Sequence, residues 1–156
     1  MSLPLRRSSV RFLILSCAVS TVMFGLIACS ALTQNTEDSS FSRCDETKTL
    51  FDYQRELKAN PRSSLANYCE GGLLFAQRNY QASGSAYHDA LFGDGDPSWT
   101  QVWSHIQFGK IWDVVGERKR AVERYQLAIQ TGDNTGNAME IARDLLEHPF
   151  QRPATR

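Results

Sequence analysis

Apolar residues recur at three- and four-residue spacing along most of the chain after residue 43, and this spacing is typical of amphipathic helices. No stretch alternates between apolar and polar residues at the two-residue period of a β-strand. The pattern predicts an all-α domain with six helices, Glu46–Lys58, Ser64–Gln77, Tyr80–Leu91, Ser98–Val115, Glu117–Thr131 and Thr135–Glu147.

Proline and glycine residues separate the predicted helices. Pro61 disfavours helical geometry at the residue before it and therefore ends the first helix. Asp96 is a good N-cap, and Pro97 suits the first position of a helix, so we expect these two residues to start the fourth helix. Gly132 is expected to end the fifth.

Two segments, Gly71–Leu91 and Gly109–Ile129, share one register at a period of 38 residues. Each begins with a glycine inside a helix and contains a turn about seven residues later. Each then has a tyrosine, Tyr87 or Tyr125, followed three residues on by alanine. Glycine inside a helix costs about 1 kcal/mol, so its presence twice in one register indicates that helices cross closely there.

This pattern resembles the tetratricopeptide repeat, a 34-residue pair of helices with small residues where the helices cross. The resemblance implies a short right-handed array of antiparallel helix pairs spanning residues 44–150. Ser83 departs from the alanine that the family prefers, and Arg118 replaces the tyrosine that Tyr80 supplies in the first unit. The alternative is an unrelated helical bundle.

In that family, the first helix of each unit lines a groove that binds peptides. The resemblance implies that the groove residues here are Leu65, Tyr68, Phe75, Trp103, Ile106 and Lys110. A mostly apolar groove suits a helix or an extended peptide from a partner. The alternative is that the chain's own first or last helix covers this surface, since a short array must cover its exposed core.

Trp99 and Trp103 lie four residues apart on one helical face. Tryptophan is enriched at the centres of protein interfaces, so the pair is a candidate partner anchor. The alternative is that both belong to the core.

The N-terminus joins basic residues to an apolar run. Arg6, Arg7 and Arg11 precede the run Phe12–Ala28, and no acidic residue occurs before Glu37. This arrangement is typical of a signal peptide. A permanent membrane-spanning helix is the alternative, although the run is at the short limit for crossing a bilayer.

The end of this run, Leu26-Ile27-Ala28-Cys29, resembles the bacterial lipobox. The resemblance implies a signal peptide over residues 1–28, cleavage before Cys29 and a covalent lipid on Cys29 that anchors the protein to a membrane. Ser30 follows where aspartate would favour the inner membrane. We therefore expect the outer membrane, facing the periplasm, while the inner membrane and a single-membrane cell surface stay open.

Composition supports a tether and one folded domain. Residues 29–43 have few large apolar side chains and are expected to be a flexible, lipid-anchored tether, and residues 151–156 a disordered tail. Without residues 1–28 the chain has 14 basic and 17 acidic residues, which gives no basic surface for nucleic acid.

Two cysteines, Cys44 and Cys69, remain after the leader and the lipid site. In an oxidising compartment they are candidates for a disulfide, and the alternative is an exposed Cys44 with a buried, free Cys69.

The histidines His88, His105 and His148 accompany no recognised nucleophile motif and no metal-ligand spacing. We therefore expect neither an enzyme nor a metal, cofactor or small-molecule substrate. The expected function is a protein-interaction module that binds an envelope protein or peptide, with an assembly or piloting factor for an envelope complex as the expected class. A peptidoglycan- or glycan-associated structural lipoprotein is the alternative.

Overall fold

The computed structural model describes residues 44–152, and this part of the chain folds into helices joined by short turns. The helices are α1 (Leu50–Ala59), α2 (Ser64–Ala76), α3 (Tyr80–Leu91), α4 (Trp99–Val114), α5 (Arg118–Gln130) and α6 (Ala138–Glu147), with a short 3-10 helix at Thr135–Asn137. Residues 44–152 contain no strand, so the all-α prediction is confirmed. The predicted signal peptide, Cys29 and the tether lie outside the described residues.

Consecutive helices pack against each other in pairs. The most extensive contacts join α2 to α3 and α4 to α5, and α3 packs on α4 to connect the two pairs. The flanking helices α1 and α6 pack on α2 and α5. The described chain is therefore an all-α array of helix pairs with one additional helix at each end.

Each pair is built around a glycine that faces a tyrosine ring. A Cβ atom on Gly71 would lie 2.9 Å from Cδ1 of Tyr87, and one on Gly109 would overlap the ring of Tyr125. Both tyrosines are almost fully buried. Close approach of the two helices in each pair therefore requires glycine at these two equivalent positions.

Ser83 has a structural reason to replace the alanine of the repeat pattern. Its side chain is fully buried, and its hydroxyl donates to the backbone carbonyl of Gly71 at 2.8 Å. A buried hydroxyl is tolerated only with a partner, and the close helix approach supplies one. In the second pair the equivalent residue is Ala121, also fully buried.

The turn inside each pair contains a residue in the left-handed conformation at the same register. These residues are Arg78, with φ of 62°, and Gly116, with φ of 83°. The next amide in each turn donates to the carbonyl five residues earlier, at 2.9 Å in the first pair and 2.8 Å in the second. This is the pattern of a Schellman C-cap, so the repeat extends to the backbone geometry of the turns.

The first and fourth helices start later than the sequence predicts. Thr49 caps α1, where its backbone amide donates to Asp52 at 2.9 Å and its hydroxyl accepts from the Asp52 amide in return. The prediction that Asp96 and Pro97 start the fourth helix is wrong, because α4 begins at Trp99. The preceding loop is instead bonded to the start of α2, where Asp94 accepts from the Ser64 amide at 3.0 Å.

Cys44 and Cys69 form a disulfide, with their Cα atoms 5.6 Å apart. Cys69 is buried in α2, so the bond fastens the start of the described chain to the core. The intervening α1 is further held by the Tyr53 hydroxyl, which accepts from the Asp45 amide at 3.1 Å. Of the two alternatives for these cysteines, the bonded one is present.

We predict that Cys44→Ser lowers the free energy of unfolding by about 3 kcal/mol, because the disulfide closes a loop of 25 residues and restricts the unfolded chain. Urea denaturation measures the difference. A reducing agent should lower the stability of the wild type to a similar extent and leave the variant unchanged. Equal stability of oxidised wild type and variant would contradict the prediction.

Alanine at Gly71 or Gly109 is predicted to destabilise the protein by about 1–2 kcal/mol, because the added methyl group would meet a buried tyrosine ring. Gly72 is the matched control: it neighbours Gly71 on α2, yet a Cβ there would make only an ordinary contact of 3.7 Å with the Tyr87 hydroxyl. Gly72→Ala should be neutral or stabilising, since alanine favours helix. Similar unfolding curves for all three variants would show that the helices do not cross as described.

Candidate peptide-binding site

The residues predicted to line an open groove are largely buried. Leu65 is partly buried, and the other five are at most 8% exposed. These five are Tyr68, Phe75, Trp103, Ile106 and Lys110. The chain thus covers much of this face itself: the Thr135 carbonyl is bonded to Trp103, and Phe150 lies against Phe75 and Lys110.

The tryptophan pair belongs to the core. Trp103 is fully buried and its indole nitrogen donates to the Thr135 carbonyl at 2.9 Å, just before α6. Trp99 is 6% exposed and packs edge-on against Tyr68, with ring centroids 5.3 Å apart. Neither indole is accessible as a partner anchor.

A buried carboxylate, Asp113, lies near the C-terminal end of α4 and joins three parts of the chain. Its side chain is 1% exposed. It accepts from Nη1 of Arg118 at 3.0 and 3.1 Å, from the Tyr125 hydroxyl at 2.8 Å and from the backbone amide of Phe150 at 2.8 Å. Burial raises the pKa of Tyr125, and its bond to Asp113 adds to the rise, so the hydroxyl stays protonated and donates.

Arg118 extends this connection to α6. Its Nη2 donates to the carbonyls of Leu145 and Leu146, at 2.8 and 2.7 Å. These carbonyls belong to the last turn of α6, where the helix dipole favours a cation. Arginine replaces the tyrosine of the repeat pattern here because this position faces a carboxylate and a helix C-terminus.

After α6, residues 148–152 cross from the end of α4 to the end of α2, and we call them the C-terminal segment. The Phe150 ring packs against the Phe75 ring, with 6.1 Å between the two centroids. Nζ of Lys110 lies 5.0 Å from the centroid of the Phe150 ring. Together with the bond to Asp113, these contacts define what we call the aromatic site, formed by Phe75, Lys110 and Asp113.

Arg152 occupies a second site, at the C-terminal end of α2. Its Nη1 donates to the Phe75 carbonyl at 2.9 Å and to the Tyr80 hydroxyl at 3.0 Å, and its Nη2 donates to the Ala76 carbonyl at 3.0 Å. The guanidinium also lies over the Phe75 ring, 5.2 Å from its centroid. We call this the arginine site.

The arginine site corrects the predicted limits of the folded domain. A disordered tail was expected over residues 151–156, but Arg152 is held by three hydrogen bonds and is partly buried. Residues 153–156 of the predicted tail lie outside the described residues. The bonds span more than 70 residues of sequence, which no local pattern reveals. The one signal is the pair of prolines, Pro149 and Pro153, that flank this stretch and disfavour a helix.

The two helix pairs contribute to these sites from equivalent positions. Phe75 and Tyr80 in the first pair stand 38 residues before Asp113 and Arg118 in the second. The first two make an aromatic pair, with centroids 5.6 Å apart, and the second two make an ion pair. Equivalent positions thus have an aromatic pair in the first helix pair and an ion pair in the second. The C-terminal segment contacts both.

A third surface is covered by arginine side chains. Phe108 and Trp112 stack on α4 with centroids 5.7 Å apart, and the guanidinium groups of Arg124 and Arg120 lie over their rings at 4.4 and 4.0 Å. The side chains of Arg120 and Arg124 thus shield this aromatic surface from solvent.

The histidines are dispersed. His88 and His148 are exposed and lie 3.3 and 3.0 Å from the carboxylates of neighbouring aspartates. Burial, with the charge of Arg124 second, lowers the pKa of His105 to about 4, so this imidazole is neutral at pH 7. Within residues 44–152, no group of three or more histidine, cysteine or acidic side chains is placed to hold a metal ion.

Within the same residues, no helix combines the length and the apolar character needed to cross a bilayer. No protein-family model, curated protein or solved structure matches the chain.

Asp113→Ala is predicted to lower the free energy of unfolding by about 2–3 kcal/mol, because it leaves the partly buried Arg118 and the buried Tyr125 hydroxyl without their acceptor. The control is Glu140→Ala, which breaks an exposed ion pair with Arg143 on α6 and should change stability by less than about 0.5 kcal/mol. Urea denaturation compares the two. A loss at residue 113 no larger than at residue 140 would contradict the role given to this carboxylate.

Proposed function

We propose that the chain is a membrane-tethered protein-interaction module, built from two tetratricopeptide-like helix pairs, that binds an extended peptide across the ends of α4 and α2. The observation that carries the proposal is the C-terminal segment. Phe150 and Arg152 of this segment are held through an aromatic contact, a backbone amide and a guanidinium. An extended peptide from a partner binds by the same kinds of contact, with main-chain hydrogen bonds for affinity and side-chain contacts for specificity.

The tetratricopeptide-like character is supported by features that recur in register. Both pairs have the glycine–tyrosine contact and a left-handed residue in the turn. An unrelated bundle would have no reason to repeat a side-chain crossing and a backbone turn at the same spacing.

We propose that the tether is a lipid on Cys29, at the outer membrane and facing the periplasm. The resemblance of Leu26–Cys29 and Ser30 to bacterial lipoproteins supports this proposal. The stretch from Cys29 to the disulfide at Cys44 spans at most about 50 Å when fully extended. A module held this close to a membrane meets partners in that membrane at a raised effective concentration. We infer a role as an assembly or piloting factor for an envelope complex.

A glycan-binding function has less support. Exposed rings of Trp99 and Trp103, able to stack on sugars, would favour it. Both are buried, and Trp103 is fully so. Binding of an envelope protein or peptide is therefore the function that we propose.

In-cell photocrosslinking tests this function. A photoreactive side chain at Ala76, which is exposed and borders the arginine site, is expected to capture an envelope protein. The same side chain at Phe51, 66% exposed on α1, is the control and should not capture that protein. Cys29→Ser should move the chain to the soluble fraction and weaken the capture at residue 76.

Two results would contradict the proposal. Crosslinks from residue 76 that join only positions within the chain would mean that no partner reaches this end of the array. Retention of Cys29→Ser in the membrane fraction would remove the lipid tether.

A further inference from the structure

We infer that the C-terminal segment is a resident, exchangeable ligand of this array, and that the partner is a peptide with an aromatic residue followed two positions later by arginine. In the bound state the partner's aromatic residue and arginine replace Phe150 and Arg152. This inference rests on the proposed function, since it specifies the peptide that the same module binds.

The aromatic site selects a flat ring on a residue with a free backbone amide. The Phe150 ring lies against Phe75 and next to the ammonium group of Lys110, which favours the face of an aromatic ring over an aliphatic chain. The Phe150 amide donates to the buried Asp113 carboxylate. Proline lacks that donor, so it is excluded at this position of the ligand.

The arginine site selects arginine over lysine. Three acceptors surround the guanidinium: two backbone carbonyls, of Phe75 and Ala76, and the Tyr80 hydroxyl. Two different nitrogens of the planar group reach them at 2.9–3.0 Å, while the plane itself lies over Phe75. A lysine ammonium is a point charge without this fork and without a face to stack. The C-terminal end of α2 adds a favourable dipole for a cation.

The spacing between the two sites fixes the spacing of the motif. One residue, Gln151, separates Phe150 from Arg152, and its side chain is exposed, as is that of Pro149. The position between the aromatic residue and the arginine therefore tolerates different side chains. The inferred ligand is an extended peptide in which an aromatic residue, any one residue and an arginine follow one another.

The segment can leave without dismantling the array. Hydrogen bonds outside the C-terminal segment fix the position of α6. Arg118 donates to the carbonyls of Leu145 and Leu146, and Trp103 donates to the carbonyl of Thr135. Release of residues 149–152 breaks none of these. The segment follows α6 directly, so its effective concentration at the two sites is high, and a partner must exceed this intramolecular competition.

Peptide binding to the full-length protein provides the test. The probe is a fluorescent synthetic peptide of residues 148–154, His-Pro-Phe-Gln-Arg-Pro-Ala, followed by anisotropy. The double variant Phe150→Ala/Arg152→Ala, in which both sites lack their resident side chains, should bind the probe at least about tenfold tighter than the wild type. A probe with lysine at the arginine position should bind that variant at least about tenfold weaker.

A melting curve establishes that the double variant folds. If it does not, Arg152→Lys replaces it, because this variant keeps Phe150 and the bond to Asp113 and should still bind the probe more tightly than the wild type. Equal affinity for wild type and variant, or no binding to a folded variant, would overturn the inference. If the wild-type protein forms dimers under the conditions of the binding experiment, the two sites bind the C-terminal segment of a second copy of this chain. This result would also overturn the inference.

The outcomes separate this inference from the proposed function. If residue 76 captures a partner in cells and the probe peptide does not compete with it, the module binds proteins but the inferred motif is wrong. If the probe binds as expected and no partner is captured, the motif stands for these sites and the interaction function fails.

Discussion

The arrangement of the second half of the domain depends on one buried carboxylate. Asp113 accepts from Arg118, Tyr125 and the Phe150 amide, and with 1% of its side chain exposed it has little water to replace a missing donor. A buried charge without partners costs free energy of folding, so the structure is most stable when all three donors are bonded to Asp113. The pairing of α4 with α5 and the position of α6 are therefore coupled through Arg118 and Tyr125, while the Phe150 amide is a third donor that the amide of a bound peptide can replace.

The same register position in the first helix pair has a different role. Phe75 and Tyr80 replace the carboxylate and the arginine, and without charges of their own they can accept a cation from outside the pair. The close helix approach at Gly71 and Gly109 keeps both positions at the same end of the array. A short peptide can thus contact a carboxylate at one pair and, at the other, aromatic rings beside the carbonyls at the end of α2.

The sequence was sufficient for the helices and for the repeat, because both depend on local periodicity and on glycines that only a close crossing explains. Helix starts were missed where a side chain decides the boundary, as with the cap of Thr49 on Asp52. That the six residues on the first helices of the pairs share one face stays a prediction, and the burial of most of them was left open because it depends on parts of the chain distant in sequence. Arg152 was missed, since its partners lie more than 70 residues away and have no charge to indicate them.

The most direct test of this account is the hydrogen-exchange rate of the Phe150 backbone amide in the full-length protein. If the C-terminal segment lies across α4 with this amide bonded to Asp113, exchange should be at least about tenfold slower than in an unstructured peptide, yet faster than in the cores of α4 and α5. Exchange at the rate of the unstructured peptide would contradict the account, because the segment would then not occupy the two sites.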